Sequence, residues 1–129
     1  MLASVLDYLK ADDELVTMLN HTRERPKITA YKPHDRNAYP YIVVTLTPFD
    51  LNILTGQYRC ELEVVTDDDL LVDVLTRKVT DILHFGTKPA VKVNHETLFH
   101  SRFAGNGFLF DQETNVFEQT LFFSMTFKR

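Results

Sequence analysis

The chain is poor in several residue types, and each shortage limits what it can be. It has no Trp, four Gly and a single Cys in 129 residues, which argues against a collagen-like repeat and excludes an internal disulfide. A lone cysteine, Cys60, is typical of a reducing compartment. Basic charge is not in excess either, because 14 Lys and Arg against 18 Asp and Glu give a net charge of 14 − 18 = −4. Sequence-specific binding of nucleic acid usually needs a basic patch, so we do not expect it.

Long hydrophobic runs are also missing. No stretch approaches the roughly 18 consecutive apolar residues of a membrane span, and the N-terminal residues lack the basic segment of a signal peptide. We therefore expect no membrane partner. Because single domains usually have about 100–200 residues, we expect residues 1–129 to form one domain.

Patterns that carry catalysis are absent from the sequence. There is no Walker motif, nucleophile elbow or HExxH zinc helix, and the five His are scattered. The run Asp67, Asp68 and Asp69 could attract a hard cation, but adjacent helical side chains point about 100° apart. Capping of a helix N-terminus is the better interpretation. We expect no catalytic residue, no metal and no cofactor.

Two segments have the apolar spacing of helices. The first places Leu2, Val5, Leu6 and Leu9 on one face, and a second turn with Leu15, Val16 and Leu19 can be capped by Asp12 or Asp13. The residues leave open whether this is one bent helix or two. The other main helix follows Asp67–Asp69, with Leu70, Leu71, Val74, Leu75, Val79, Ile82 and Leu83 as its apolar positions.

Alternating or β-branched segments predict the strands. They are Lys27–Tyr31, Tyr41–Thr47, Gln57–Thr66, Thr97–Phe103 and Asn115–Phe127, with Val91 and Val93 as a weaker candidate. In Asn115–Phe127 the polar face has one exception, Phe122. The element order α-β-β-β-α-β-β predicts an α+β fold, in which a mostly antiparallel β-sheet carries the two main helices packed on one face.

Two predicted connections contain unexpected apolar side chains. Pro48–Gly56 is a nine-residue connection with Phe49, Leu51, Ile53 and Leu54. Gly105–Asn106–Gly107 predicts a turn, and Phe108, Leu109 and Phe110 follow it. These side chains either fold back as extra strand or satellite core, or they bury against another subunit, because large exposed apolar patches mark interaction sites.

The arrangement as a whole resembles the tail terminator, or tail completion, proteins of long-tailed bacteriophages. The resemblance spans nearly the whole chain: a helical start (MLASVLDYLKADDELVTMLN), a proline-flanked strand (YPYIVVTLT), a charged alternating strand (QYRCELEVVT), an acid-capped helix (DDDLLVDVLTRKVTDIL) and a Phe-rich end. The stretch from Tyr39 to Val44 is the most suggestive part.

The resemblance implies a structural virion protein, a homo-oligomer that is commonly a hexameric ring. Such a ring caps the tail tube protein, offers the docking surface for the head connector or neck protein, and lets DNA pass through its lumen without specific binding. It would be assembled in the host cytoplasm and reside at the head-tail interface of the virion. Phe49–Leu54 would then be an arm that reaches a neighbour or the tube, and Glu61, Glu63 and Asp67–Asp69 would be candidates for acids that face the lumen.

Two other functions fit the same residues. One is a head-side neck or connector protein. The other is a small α+β ligand-binding or regulatory domain, which would need a concave pocket of roughly 300 Å³ or more with convergent polar groups.

Overall fold

A computed structural model of the chain describes residues 1–51, 55–85 and 90–128. The helices are α1 (Leu2–Lys10), α2 (Asp13–Leu19) and α3 (Asp69–Leu83). The strands are β1 (Ile28–Ala30), β2 (Tyr41–Leu51), β3 (Thr55–Thr66), β4 (Val91–Val93), β5 (Glu96–Asp111) and β6 (Val116–Lys128). The predicted α+β class is confirmed.

The six strands form one mixed sheet in the order β1-β2-β3-β6-β5-β4. Neighbours pair antiparallel except β1 and β2, which are parallel, with Ile28 opposite Ile42. The expected sheet is therefore confirmed as mostly antiparallel, with one parallel pair at its edge that the sequence pattern did not indicate.

The main core lies between one face of the sheet and all three helices. Alternate residues of the central strands point into it, as period-two patterning requires, and Leu62, Leu121 and Phe123 are fully buried there. From the helices, Leu9 and Leu75 are equally buried. We call this the helical face of the sheet, and the opposite one the outer face.

The N-terminal helical segment is two helices rather than one bent helix. Asp12 is the N-cap of α2, where its side chain accepts a hydrogen bond from the Leu15 N–H at 2.9 Å. Asn20 ends α2 in a left-handed conformation, with φ of 56°. A capping carboxylate that satisfies free N–H groups is what divides the segment.

Helix α3 begins as expected. The Asp68 carboxylate accepts hydrogen bonds from the N–H groups of Leu70 and Leu71, at 2.9 and 3.1 Å. Two of the predicted apolar positions, Leu70 and Val74, point to solvent instead of the core. The reason is helical geometry, because these positions lie more than a quarter turn away from Leu75 and Val79.

The predicted connection Pro48–Gly56 is wrong in extent. Strand β2 continues to Leu51 and β3 begins at Thr55, so that Phe49 and Leu51 lie on a strand and Ile53 and Leu54 fall outside the described residues. A bulge between Pro48 and Asp50 keeps the two strands paired. Proline is tolerated because β1 pairs with β2 only as far as Val44, which leaves the other edge of β2 unpaired at this point.

The predicted turn at Gly105–Asn106–Gly107 is also wrong. All three residues lie inside β5, which runs without interruption from Glu96 to Asp111. The glycines serve an irregularity of the strand: the register shifts between Phe103 and Gly105, and Gly105 has φ of 155°. A β-bulge of this kind bends a strand without ending it. Phe108, Leu109 and Phe110 are therefore strand residues.

Cys60 lies in the core at 0% exposure. Burial raises the pKa of its thiol to about 12, which favours the protonated form over the nucleophilic thiolate. In the described ranges, no helix is long and apolar enough to span a membrane.

Candidate assembly surfaces

Large apolar side chains are exposed at the ends of two β-hairpins. On the β2–β3 hairpin, Phe49 and Leu51 are 58% and 51% exposed. On the β5–β6 hairpin, Phe108 and Leu109 are 58% and 59% exposed and Phe110 is 37% exposed. None of them belongs to the core, which favours the interpretation that they are covered by another protein chain.

The two apolar ends lie at opposite ends of the sheet. The register of β3 and β6 pairs Thr55 with Lys128 at the start of β3 and Thr66 with Phe117 near the β5–β6 turn. From Thr55 to Thr66 a strand rises about 36 Å. The apolar residues of the two predicted connections thus form two separate patches.

The β5–β6 hairpin is apolar on both of its faces. Phe110 packs on Phe117 with ring centroids 4.6 Å apart, and Phe108 lies 6.1 Å from the same ring. This cluster lies on the helical face of the sheet. Leu109 pairs with Glu118 and points to the outer face, in the same row as Val65.

Side chains pack closely against the backbone of the β2–β3 hairpin at Gly56. A Cβ atom at Gly56 would lie 2.8 Å from the Tyr58 ring and 3.2 Å from the Leu51 side chain. Because Gly56 has no side chain, the side chains of Tyr58 and Leu51 can pack directly against its backbone. Tyr58 packs in turn edge-on against Phe127 of the core, with ring centroids 5.7 Å apart.

The outer face of the sheet carries a groove that was not predicted from the sequence. It has a volume of about 610 Å³ and is lined by side chains from β2, β3, β5 and β6, among them Phe49, Arg59, Ala104 and Phe122. The Arg59 guanidinium lies 4.2 Å from the centre of the Phe122 ring, a cation–π contact. The signal was present in the sequence, since Phe122 is the aromatic exception on an otherwise polar strand face.

The acids predicted to face a lumen do not form one cluster. Glu61 and Glu63 lie on the outer face, where Glu118 of the adjacent strand β6 joins them. Asp67, Asp68 and Asp69 lie beyond the end of β3 at the start of α3, and Asp68 is engaged in capping the helix. Partial burial raises the pKa of Glu63, and the charges of Glu118 and Glu61 raise it further.

This raised pKa predicts a stabilising substitution. A group whose pKa is higher in the folded protein binds its proton more readily there, so the ionised Glu63 subtracts stability above that pKa. We expect Glu63→Gln to increase the free energy of unfolding at pH 7, and the gain to vanish as the pH falls below 4.5, the ordinary value. Urea unfolding at both pH values measures this. Glu24→Gln, in the exposed connection before β1, is the control; an equal gain from both variants would contradict the explanation.

Among the described residues, no group of three or more His, Cys, Asp and Glu side chains is arranged to hold a metal ion. Two further concave sites lie at the surface of the described residues, one of about 390 Å³ beside the connection before β1, lined by Lys27, Asp35 and Tyr41 among others, and one of about 320 Å³ between the helices. At the site between α1, α2 and α3, Lys78 pairs with Asp12 and Glu14 at 3.5 and 2.9 Å.

Comparison with known proteins gives one kind of match. No family model matches the chain, and no curated protein matches it. Among solved structures, the chain is similar to one from the virion of a native gene transfer agent (GTA) particle. The TM-score is 0.72 and the identity 14%, and the match covers 98% of this chain and 93% of that chain. The chain therefore shares its whole fold with a protein of that particle.

Proposed function

We propose that this protein is a structural component of a phage-like virion, a tail terminator whose ring closes the tail tube and offers the surface to which the head is joined. The observation that carries the proposal is the likeness in fold, over 98% of the chain, to a protein from the virion of a gene transfer agent. The role of terminator, within the virion, rests on the resemblance found in the sequence.

The placement of the apolar patches supports assembly into a ring. A cyclic ring uses a heterologous contact, in which one patch of a subunit meets a different patch of the next. Phe49 and Leu51 at one end of the sheet, and Phe108, Leu109 and Phe110 at the other, provide two such patches. A dimer with a two-fold axis would instead need only one patch that matches itself.

The acidic side chains fit a channel through which DNA passes. Glu61 and Glu63, with Asp67–Asp69 beyond the strand end, would border the lumen and repel phosphates, so that DNA does not adhere during its passage. The chain as a whole is acidic, with a net charge of −4. In this proposal the protein has no catalytic role, and it is assembled in the host cytoplasm before it becomes part of the virion.

The experiment is to mix the purified protein with tail tubes assembled from tube protein. We expect rings at tube ends in negative-stain images, and a mass by multi-angle light scattering that is a multiple of 15.0 kDa, six copies if the ring is a hexamer. Purified heads with their connectors, without tubes, are the parallel sample. A protein that binds connectors and ignores tubes would be a neck protein, and one that remains monomeric with both would overturn the proposal.

A further inference from the structure

The outer face of the sheet has an acidic half and a basic half. Glu61, Glu63 and Glu118 lie toward the β5–β6 turn, and Arg59, Arg102 and Lys128 lie toward the β2–β3 turn. Asp50 is a carboxylate in the basic half. The register puts Arg59, Ser124 and Arg102 side by side in one row across β3, β6 and β5. The apolar groove of Phe49 and Phe122 lies where the two halves meet: Arg59 and Ser124 line it on the basic side, and Phe122 stands opposite Glu61 of the acidic half.

The β5–β6 hairpin has the opposite charge. Between Arg102 and Lys128 the sequence contains no Lys, Arg or His, and its charged residues are Asp111, Glu113 and Glu118. Asp111 and Glu113 are at the tip, next to the exposed Phe108 and Leu109. The hairpin thus combines exposed apolar side chains with carboxylates. The groove combines apolar side chains with the guanidinium of Arg59, and Arg102 lies in the same row.

We propose that the β5–β6 hairpin of a second copy of this chain docks in the groove of Phe49, Arg59 and Phe122 on the outer face. The inference rests on the proposed function and specifies the contact that builds the ring. Leu109, on the outer face of the hairpin, covers the apolar floor of the groove, with Phe108 on the opposite face at its rim. Asp111, on the same face as Leu109, and Glu113 at the tip approach Arg59 and Arg102. Apolar contact supplies affinity and the opposite charges set the orientation.

A chain cannot fill its own groove in this way. Along β6, the hairpin end at Val116 is eight residues from Ser124 in the groove, a rise of about 27 Å. Both lie on one continuous strand paired on both sides, so the separation is fixed. The hairpin and the groove can only meet between different copies.

Charge also excludes the symmetrical alternatives. Two hairpins packed against each other would bring Asp111 and Glu113 of both copies together, and two grooves would bring together Arg59 and Arg102. Like charges in a contact oppose association. When the hairpin of one copy docks in the groove of another, the charges attract. Repeated head to tail, this contact closes into a ring if the rotation between copies allows it.

Two complementary variants test the contact. Phe108→Thr with Leu109→Thr removes the apolar hairpin surface, and Arg59→Glu with Phe122→Thr removes the groove; Thr keeps the preference for strand. We expect each double variant alone to associate at least tenfold more weakly than the unmodified chain. Mixed in equal amounts, they should form a heterodimer of twice 15.0 kDa and nothing larger, because one intact hairpin and one intact groove remain. Analytical ultracentrifugation measures both results.

A charge exchange provides a test that does not depend on the apolar residues. Arg102→Glu and Glu113→Arg are expected to weaken association several-fold when made singly, and to restore it when combined in one chain. Both residues are exposed, so neither change should disturb folding. The effect should decrease with added salt, which screens exposed charges.

The outcomes separate this inference from the proposed function. If the unmodified chain forms rings and either apolar double variant still does, or if the two variants do not combine, the hairpin–groove contact is wrong while the ring stands. If the charge exchange fails to restore association, the charges do not pair and the contact is also wrong. An unmodified chain that remains monomeric with and without tubes overturns the proposed function and the inference together.

Discussion

Phe123→Ala is expected to lower the free energy of unfolding by about 3–5 kcal/mol, the usual cost of removing a buried aromatic ring. Phe123 is 0% exposed and lies at the centre of the main core. It stands opposite Cys60 on β3, and its ring meets that of Phe103 on β5 at 5.8 Å between centroids. Because domains of this kind are stable by only about 5–15 kcal/mol, the loss would leave a marginal fold. Urea unfolding followed by circular dichroism measures it.

The matched control is Phe108→Ala, the same chemical change at an exposed position. Phe108 is 58% exposed, and its ring lies 6.1 Å from that of Phe117. We expect a cost below about 1 kcal/mol there. If the two variants were equally destabilised, the hairpin would be part of the folding core, and the interpretation of its apolar residues as an assembly surface would be wrong.

The contrast between these two Phe residues reflects what the sequence can reveal. Phe123 belongs to an alternating segment, and Tyr58, Cys60, Leu62 and Val64 of β3 form another, so that period-two spacing alone identifies which face is buried. The helix from Asp69 to Leu83 was equally predictable, because a capping carboxylate precedes its apolar stripe. Helices and strands that are indicated by residues within the segment itself were predicted correctly.

The errors arose where pairing between distant segments overrides local composition. Gly105 and Gly107 have the composition of a turn, yet hydrogen bonding to β6 along its whole length holds β5 extended through them. Pro48 suggested the end of a strand, but β3 continues to pair with β2 beyond it. Local sequence carries no information about the length of a partner strand, and the parallel pairing of β1 was hidden for the same reason.

The candidate surfaces were predictable in part. The exposed apolar residues at 49, 51 and 108–110 could be identified from the sequence, because large apolar side chains next to turn residues indicate an interaction surface. Their arrangement could not, since the separation of about 36 Å comes from the register of β3 and β6. The groove is formed by residues of four strands, and Phe122 was the one residue whose sequence context indicated it.

The second large effect concerns assembly rather than folding: Phe49→Ser with Leu51→Ser should prevent ring formation and capping of the tube while the chain stays folded. Both side chains are more than half exposed, so their loss costs the monomer little. If a neighbour covers the exposed parts, their removal costs about 2 kcal/mol for each contact, a factor of about 30 in affinity. The loss for a ring is larger, because every subunit makes such a contact on two sides. Light scattering with and without tail tubes measures it.

A comparable control is available on α3, where the apolar side chains of Leu70 and Val74 are 76% and 49% exposed. Leu70→Ser with Val74→Ser removes exposed apolar surface from a helix that begins beyond the end of β3 opposite to the β2–β3 hairpin, and rings should still form. Assembly that is lost in the α3 variant and kept in the hairpin variant would move the interface from the sheet ends to the helical layer. A hairpin variant that unfolds at low urea would instead show that Phe49 and Leu51 support the chain's own fold. Because the two variants share their chemistry and differ in position, the comparison attributes any loss of rings to where the apolar surface lies and not to how much of it is removed.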